Sequence, residues 1–406
     1  MLRVSRHVTA AGLFGSGARW YLAYTFLSGL AFGVFGLFYN LYVLSLGTSR
    51  STLGALLAIP LLVVCSLALP AGALGRRLGY RRALLAGVAA YAAAIVGLAA
   101  FPTSLGLFGF ALLLGVGQTL LDVCHAPLVA EISDERWRTR LFSTQFAVRL
   151  FASFFGSLVA GALPAAFAGA FRVGAESSAA YRGTLALSAA LLAASVVPLA
   201  RVRPPSPPIA SSRSPHRGQR LPKRALARLF VPQAVIGIGA GAVVPFLNVF
   251  LKTRFTLSDG TLGVLFALQA IAMGTATLLG PRLASRLGRI RALVFTQIAS
   301  IPFLAVLGFV PIYPVVVVAF LARAGLMNMG HPLYSAFAME EVDARHRATA
   351  SALLVMSSQG SRALSSWWSG LLQEGPGFGP AFGLTMACYL IASLLVLSFF
   401  GRRAHR

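Results

Sequence analysis

Long apolar blocks separated by short charged ones make up almost the whole chain. A helix that crosses a hydrocarbon core needs about 20 predominantly apolar residues. Twelve blocks meet that need, with soft ends: 20–46, 52–74, 83–101, 105–130, 141–165, 183–200, 229–251, 261–281, 292–310, 314–338, 348–372 and 378–400. Glycine and proline recur inside them, as membrane helices tolerate. One stretch, "GVAAYAAAIVGLAA" at 87–100, is small on nearly every face and permits close helix approach. Segment 201–228, "RVRPPSPPIASSRSPHRGQRLPKRALAR", is different: rich in Pro, Ser and Arg and without apolar period. It reads as a linker. The pattern predicts an all-α integral membrane protein of twelve transmembrane helices, arranged as an N-terminal six-helix bundle (1–200), the linker, and a C-terminal six-helix bundle (229–406).

Composition agrees. Of 406 residues 57% are hydrophobic and only 11% charged, against about 25% charged in a soluble domain. The net charge of +25 would point to nucleic acid in a soluble protein, but its placement says otherwise. With twelve spans both termini share a side, and that side carries 27 of the 35 Lys and Arg; the other carries five and three lie inside spans. By the positive-inside rule the richer side is cytoplasmic. The basic residues are topology determinants beside anionic headgroups, and no nucleic-acid partner is expected. The basic start "MLRVSRHVTAAGLFGSGAR" is too polar for a signal-peptide core, so the first apolar run is expected to be a retained helix. The Arg- and Ala-rich composition fits a bacterial inner membrane. Cys65, Cys124 and Cys388 sit inside apolar runs without metal-ligand spacing; no metal and no cofactor are expected.

The halves repeat. Subtracting 209 carries Gly288 onto Gly79, Arg286 onto Arg77, the "TLG" of 261–263 onto that of 52–54, and Glu340, Asp343, Arg345 and Arg347 onto Glu131, Asp134, Arg136 and Arg138. Asn248 in "FLNVF" matches Asn40 in "FYNLY" at an offset of 208. Parallel six-helix repeats with a site at their interface are a transporter architecture.

Two arginine blocks occupy equivalent places, "GALGRRLGYRR" at 72–82 and "PRLASRLGRIR" at 281–291. With them the chain resembles the major facilitator superfamily, which carries a Gly-x-x-x-Asp-Arg-x-Gly-Arg-Arg/Lys signature between its second and third helices and a weaker echo between its eighth and ninth. The match is partial: Arg76 and Ser285 stand at the aspartate position and Tyr80 where an arginine is usual. The resemblance implies a conformational latch at these loops. Gly72, Arg77, Gly79, Arg81 and Glu131 would form it in the first half, and Arg286, Gly288 and Glu340 in the second. The arginines would bind helix ends in one conformation and release them in the other. The alternative is that they only set topology.

Ionisable residues inside a bilayer are costly and therefore candidates for function. They are Asp122 and His125 in span four, Arg149 in five, Arg323 and His331 in ten and Arg362 in eleven. Asp122 and Arg149 fall at similar depth on consecutive helices and are expected to pair, as a gated substrate or proton site or as a structural salt bridge. The 209 offset places His331 on Asp122, which would suit proton coupling, because histidine titrates near neutral pH; a hydrogen-bonded structural histidine is the alternative. His125, beside Ala-Pro, reads as packing. Three arginines against one acid point to an anionic substrate, unless Arg323 and Arg362 snorkel or bind carbonyls. Asn40, Gln118, Asn248 and Asn328 lie in spans one, four, seven and ten, which line the cavity in the resembled family; each could equally be interhelical glue.

These features predict a secondary active transporter of a small molecule, proton-coupled and working by alternating access, with an organic anion as the leading substrate class. An efflux exporter of lipophilic compounds is the alternative. A monomer is expected. Nothing resembles an ATP-binding loop, and no nucleophile–base or metal constellation supports an enzyme.

Overall fold

A computed structural model describes residues 15–133, 135–203, 223–340, 342 and 347–400. Most of the linker lies outside that set, as do the side chains of His331 and Glu340. The described residues form fourteen α-helices and no strand: α1 (Ser16–Ser45), α2 (Arg50–Leu78), α3 (Tyr80–Ala100), α4 (Ser104–Glu131), α5 (Glu135–Phe171), α6 (Ser178–Ala194), α7 (Val196–Arg201), α8 (Lys223–Val243), α9 (Leu247–Phe255), α10 (Asp259–Leu287), α11 (Arg289–Phe309), α12 (Tyr313–Glu340), α13 (Arg347–Glu374) and α14 (Gly379–Phe400). They make twelve passes, because two passes are broken. The sixth is α6 and α7, interrupted at Ser195. The seventh is α8 and α9, interrupted by a 3-10 turn at Val244–Phe246, where Pro245 supplies no backbone donor. Helix α8 begins at Lys223, inside the segment read as linker.

The first correction concerns the arginine blocks. They are helix ends rather than loops. Helix α2 runs on to Leu78 and α3 starts at Tyr80, with Gly79 alone between them; Gly288 stands alone between α10 and α11. Charge ends an apolar block but does not end a helix, and arginines in a last turn complement the helix dipole. Gly79 and Gly288 have φ of +86° and +80° with ψ of 137° and 151°, a region close to glycine-only backbone. Gly79→Ala is expected to cost about 1–3 kcal/mol, read as a lower melting temperature. Gly72, by contrast, lies within α2 with ordinary van der Waals room. The close approach belongs to Gly75, where a Cβ would lie 2.9 Å from the Tyr80 ring and 3.0 Å from Cys124 Sγ.

The second concerns α13. Among the described residues, eleven passes are long and apolar enough to cross a membrane by composition; α13 is not among them. Its serines explain the difference. Ser365, Ser366 and Ser369 donate to the carbonyls of Ile238, Gly241 and Ala242 on α8, at 2.5, 3.0 and 2.5 Å, so these serines are satisfied inside the protein.

The internal repeat is also a repeat of contacts. On α2, a Cβ at Gly54 would lie 2.8 Å from Ser366 O and 3.0 Å from Gly370 Cα of α13. On α10, a Cβ at Gly263 would lie 2.8 Å from Ser157 O and 2.7 Å from Gly161 Cα of α5. Adding 209 carries Gly54 to Gly263, Ser157 to Ser366 and Gly161 to Gly370. Each half therefore presents the same glycine to the same helix of the other half, as a pseudo-twofold axis requires.

Candidate functional site

The helices alternate in direction, so the bundle has a terminal face, holding the start of α1 and the α2–α3 and α10–α11 junctions, and an opposite face. A cavity of about 440 Å³ lies within the N-terminal half, lined by α1, α4 and α5. Each helix contributes one stripe: Tyr21, Tyr24, Thr25, Ser28 and Phe32 from α1; Gln118, Asp122 and His125 from α4; Gln145, Arg149 and Ser153 from α5. These positions recur every three to four residues and so share a helix face.

Gln118 and Asp122 are one turn apart, and Gln118 Nε2 donates to Asp122 Oδ1 at 2.8 Å. His125 Nε2 meets Gln145 Oε1 at 3.3 Å across the α4–α5 contact. The Arg149 guanidinium lies over the Phe146 ring, 5.6 Å from its centroid. Asp122 and Arg149 share the cavity but do not form the expected pair: the ion pairs among the described residues, within 4.0 Å, are those of Lys252 with Glu176 and with Asp259. Both side chains are solvent-exposed at the cavity wall, where hydration competes with direct contact and an ion pair gains little. The Tyr21 hydroxyl, by contrast, is buried beside the cavity without a partner.

The other expected site residues fall elsewhere. Asn40 Nδ2 donates to Asn248 Oδ1 at 2.8 Å and to Pro245 O at 2.6 Å, and Asn248 Nδ2 returns a bond to Leu37 O at 2.8 Å. Repeat-equivalent residues that bond to each other must sit on the pseudo-twofold axis. Their amides join the halves, although both border a separate small pocket between them. Asn328 Nδ2 donates to Thr277 Oγ1 at 2.7 Å and joins α12 to α10. Arg323 and Arg362 lie in the C-terminal half and contribute nothing to the cavity lining. His331 lies on α12, its side chain outside the described set.

At the expected latch, Arg81 Nη1 donates to Val202 O at 2.9 Å and Ala200 O at 3.3 Å. It thereby satisfies carbonyls left open where α7 ends instead of reaching Glu131. Glu131 is half-buried and Arg77 and Arg286 are exposed; the latch contacts expected of Arg77 and Glu131 are not made in this conformation. Glu340 lies outside the described side chains.

Contacts between the halves gather toward the opposite face. Lys252 of α9 bonds Asp259, donates to Tyr181 Oη of α6 at 2.8 Å and pairs with Glu176 of the α5–α6 turn at 3.0 Å. Arg50 Nη1 donates to Gln373 O at 3.0 Å, and the Ser51 amide to Glu374 Oε1 at 2.9 Å. With the repeated glycine contacts these close the opposite face.

Sequence reasoning did not anticipate Tyr21, Tyr24, Ser28, Gln145 and Ser153, and it assigned His125 to packing. The signal that finds them is the shared periodicity of polar and aromatic positions in α1, α4 and α5.

Comparisons with known proteins agree with this architecture. The sequence profile of the Major Facilitator Superfamily matches residues 21–238 and 229–406. No curated protein matches the sequence. Among solved structures, the chain is similar to the nucleoside transporter NupG (15% identity, TM-score 0.73, covering 95% of this chain and 98% of that one). It is similar to a D-xylose–proton symporter (18%, 0.72, 93% and 97%) and to the human organic anion transporter MFSD10 (16%, 0.65, 94% and 99%). At these identities the likeness is one of fold. The profile covers both halves, and the chain belongs to the major facilitator superfamily, an integral membrane transporter rather than an enzyme.

Proposed function

We propose that this protein is a secondary active transporter that carries a small organic anion by alternating access, coupled to protons, with Asp122 and Arg149 at its site. The observation that carries the reading is one cavity holding an exposed carboxylate and an exposed guanidinium that do not neutralise each other. Arg149 offers a bidentate cation for a carboxylate or phosphate group. Tyr21, Tyr24 and Phe32 offer aromatic walls. Asp122 is a titratable group lining the same cavity, where loss of its proton would repel an anion bound at Arg149. A volume of about 440 Å³ suits a small metabolite. The contacts across the opposite face and the positive-inside bias support the reading of an inward-facing state with cytoplasmic termini, in a bacterial inner membrane. Xylose–proton symport by a neighbour of the same fold makes proton coupling a natural mode for the scaffold. A lipophilic cation, the substrate of the exporter alternative, would be served by Asp122 but opposed by Arg149.

The test is uptake and efflux of labelled organic anions in proteoliposomes under an imposed pH gradient. Arg149→Gln is expected to weaken apparent affinity about tenfold to a hundredfold, the loss of one charge-assisted interaction of about 1.5–3 kcal/mol. Asp122→Asn is expected to keep anion exchange but lose acceleration by the pH gradient. Transport of lipophilic cations with Arg149 dispensable would replace this reading with the exporter.

A further inference from the structure

The C-terminal half holds two mid-membrane arginines with no carboxylate of its own to answer them. Arg323 is ten residues into α12 and Arg362 twelve residues from the end of α13, roughly 15 and 18 Å from the opposite face at 1.5 Å per residue. Every acid of that half lies at a helix end: Asp259 starts α10, Glu374 ends α13, and Glu340, Glu341 and Asp343 flank the α12–α13 junction. Asp122, the mid-membrane acid of the other half, faces a cavity lined by N-terminal residues alone.

The two guanidinium groups share a neighbourhood. Arg323 is 4% exposed, and its Nη2 donates to the Tyr389 hydroxyl of α14 at 3.3 Å. Arg362 and Tyr389 flank the same stretch of α8: a Cβ at Gly241 would lie 2.9 Å from Arg362 Cα, and one at Gly239 3.1 Å from the Tyr389 ring. Neither arginine spends its Nε on the protein: both Nε atoms are buried and without a hydrogen-bond partner. Arginine does not deprotonate in proteins, so it cannot escape burial by neutralising itself. Two like charges, one buried and one half-buried, each with a buried and unused Nε, call for a counter-ion from outside the chain. Arg362 is half-buried and Arg323 buried.

We propose that Arg323, Arg362 and Tyr389 form a small-anion site in the C-terminal half, separate from the Asp122–Arg149 cavity, taking a halide or the carboxylate group of a small organic acid. The two guanidinium groups would share the anion through their Nε–H and terminal N–H donors. The Tyr389 hydroxyl, which accepts from Arg323, keeps its own proton for a third bond. The site would join α12, α13 and α14 through one ion. It stands whether or not Arg149 binds substrate.

Thermal unfolding of the purified full-length protein tests it. Chloride, bromide, acetate, benzoate and sulfate are titrated at ionic strength held constant with a bulky sulfonate buffer. A saturable rise in melting temperature is expected with at least one small monovalent anion. Measured in an Arg149→Gln background, so that anion binding at the proposed transport site does not contribute, Arg323→Gln and Arg362→Gln are expected to weaken that dependence at least tenfold. Each Gln variant removes one of two repelling charges, so at low anion concentration it should melt no lower than the wild type. If a Gln variant does not fold, Arg362→Lys, which keeps the charge and loses the planar fork, is expected to show the same tenfold weakening. Halide stabilisation that acetate and benzoate cannot reproduce identifies an inorganic ion; competition by them identifies a carboxylate site. The proposal is overturned if no anion acts saturably, or if the effect survives both Gln substitutions. An effect removed by Arg149→Gln alone also overturns it, while leaving the proposed transport function standing.

Discussion

Asp259→Ala is expected to open the face opposite the termini. In the closed arrangement Asp259 and Lys252 have side chains only 9% and 11% exposed, so solvent screens them little. Lys252 reaches across the halves to Tyr181 and Glu176. Removing one partner of a buried charge pair costs about 3–5 kcal/mol. Glu176 remains to hold Lys252, which places the loss near the lower end, about 3 kcal/mol. Contacts that exist only while this face is closed stabilise that state alone, and about 1.4 kcal/mol corresponds to a tenfold shift. Lys252 and Asp259 lie in the same half, so the part of the loss specific to the closed face is the bonding of the Tyr181 hydroxyl to Asp259 at 3.2 and 3.3 Å. That is about 1.5–3 kcal/mol for a hydrogen bond to a charged group, and the open-face population should rise at least about tenfold. The measurement uses a cysteine at position 57 (Leu57→Cys), beside the small pocket between the halves, in a background with Cys65→Ser. Its reaction with an impermeant maleimide added from the opposite face should accelerate at least tenfold with Asp259→Ala. An unchanged rate would mean that this charge cluster does not hold the face shut.

A larger effect is expected at the repeated glycines. A side chain at Gly54 or Gly263 would be driven into backbone of the other half, with nearest atoms at 2.8 Å and 2.7 Å. Backbone cannot swing aside as a flexible side chain can. Gly54→Val and Gly263→Val should each leave their own half folded, because the nearest obstructing atoms all belong to the partner half, yet stop the halves from meeting. Both variants are expected to insert and purify normally, to label rapidly at Leu57→Cys, and to transport at the liposome background. Because the two contacts are related by the repeat, their defects should be of similar size. Wild-type transport by either variant would remove the closing role of the contact. A severe defect in only one would break the symmetry argument.

The spacing of charge and apolar blocks made the twelve passes and the repeat legible, because both depend only on where hydrophobic length begins and ends. Asp122, Gln118 and Arg149 were legible for the same reason: polar groups at depth stand out against apolar surroundings. Whether two of them touch was not. Asp122 and Arg149 match in depth, but depth says nothing about rotation around each helix axis, and the cavity keeps them apart. Asn328 was drawn toward the cavity by its helix number and turned to Thr277, again a matter of rotation. Tyr21 and Tyr24 were lost among other aromatics, since α1 is largely apolar on both its lipid and protein faces. The latch was read from a motif whose partners depend on conformation. In this conformation Arg81 turns to the end of α7.

The serine ladder of α13 has a consequence for how the protein is made. Arginine near a helix centre disfavours partitioning into the bilayer by about 2.5–3.5 kcal/mol, and α13 carries Arg362 there together with its serines. Presented alone to lipid, this segment would not stay. Helix α8, whose carbonyls receive those serines, is synthesised more than a hundred residues earlier and is already in place when α13 emerges. Membrane entry of the eleventh pass is thus an assembly step: the helix is accepted by other helices before it is accepted by lipid. Substitutions in α8 that block the ladder should appear first as a misinserted C-terminus, before any defect in transport can be measured.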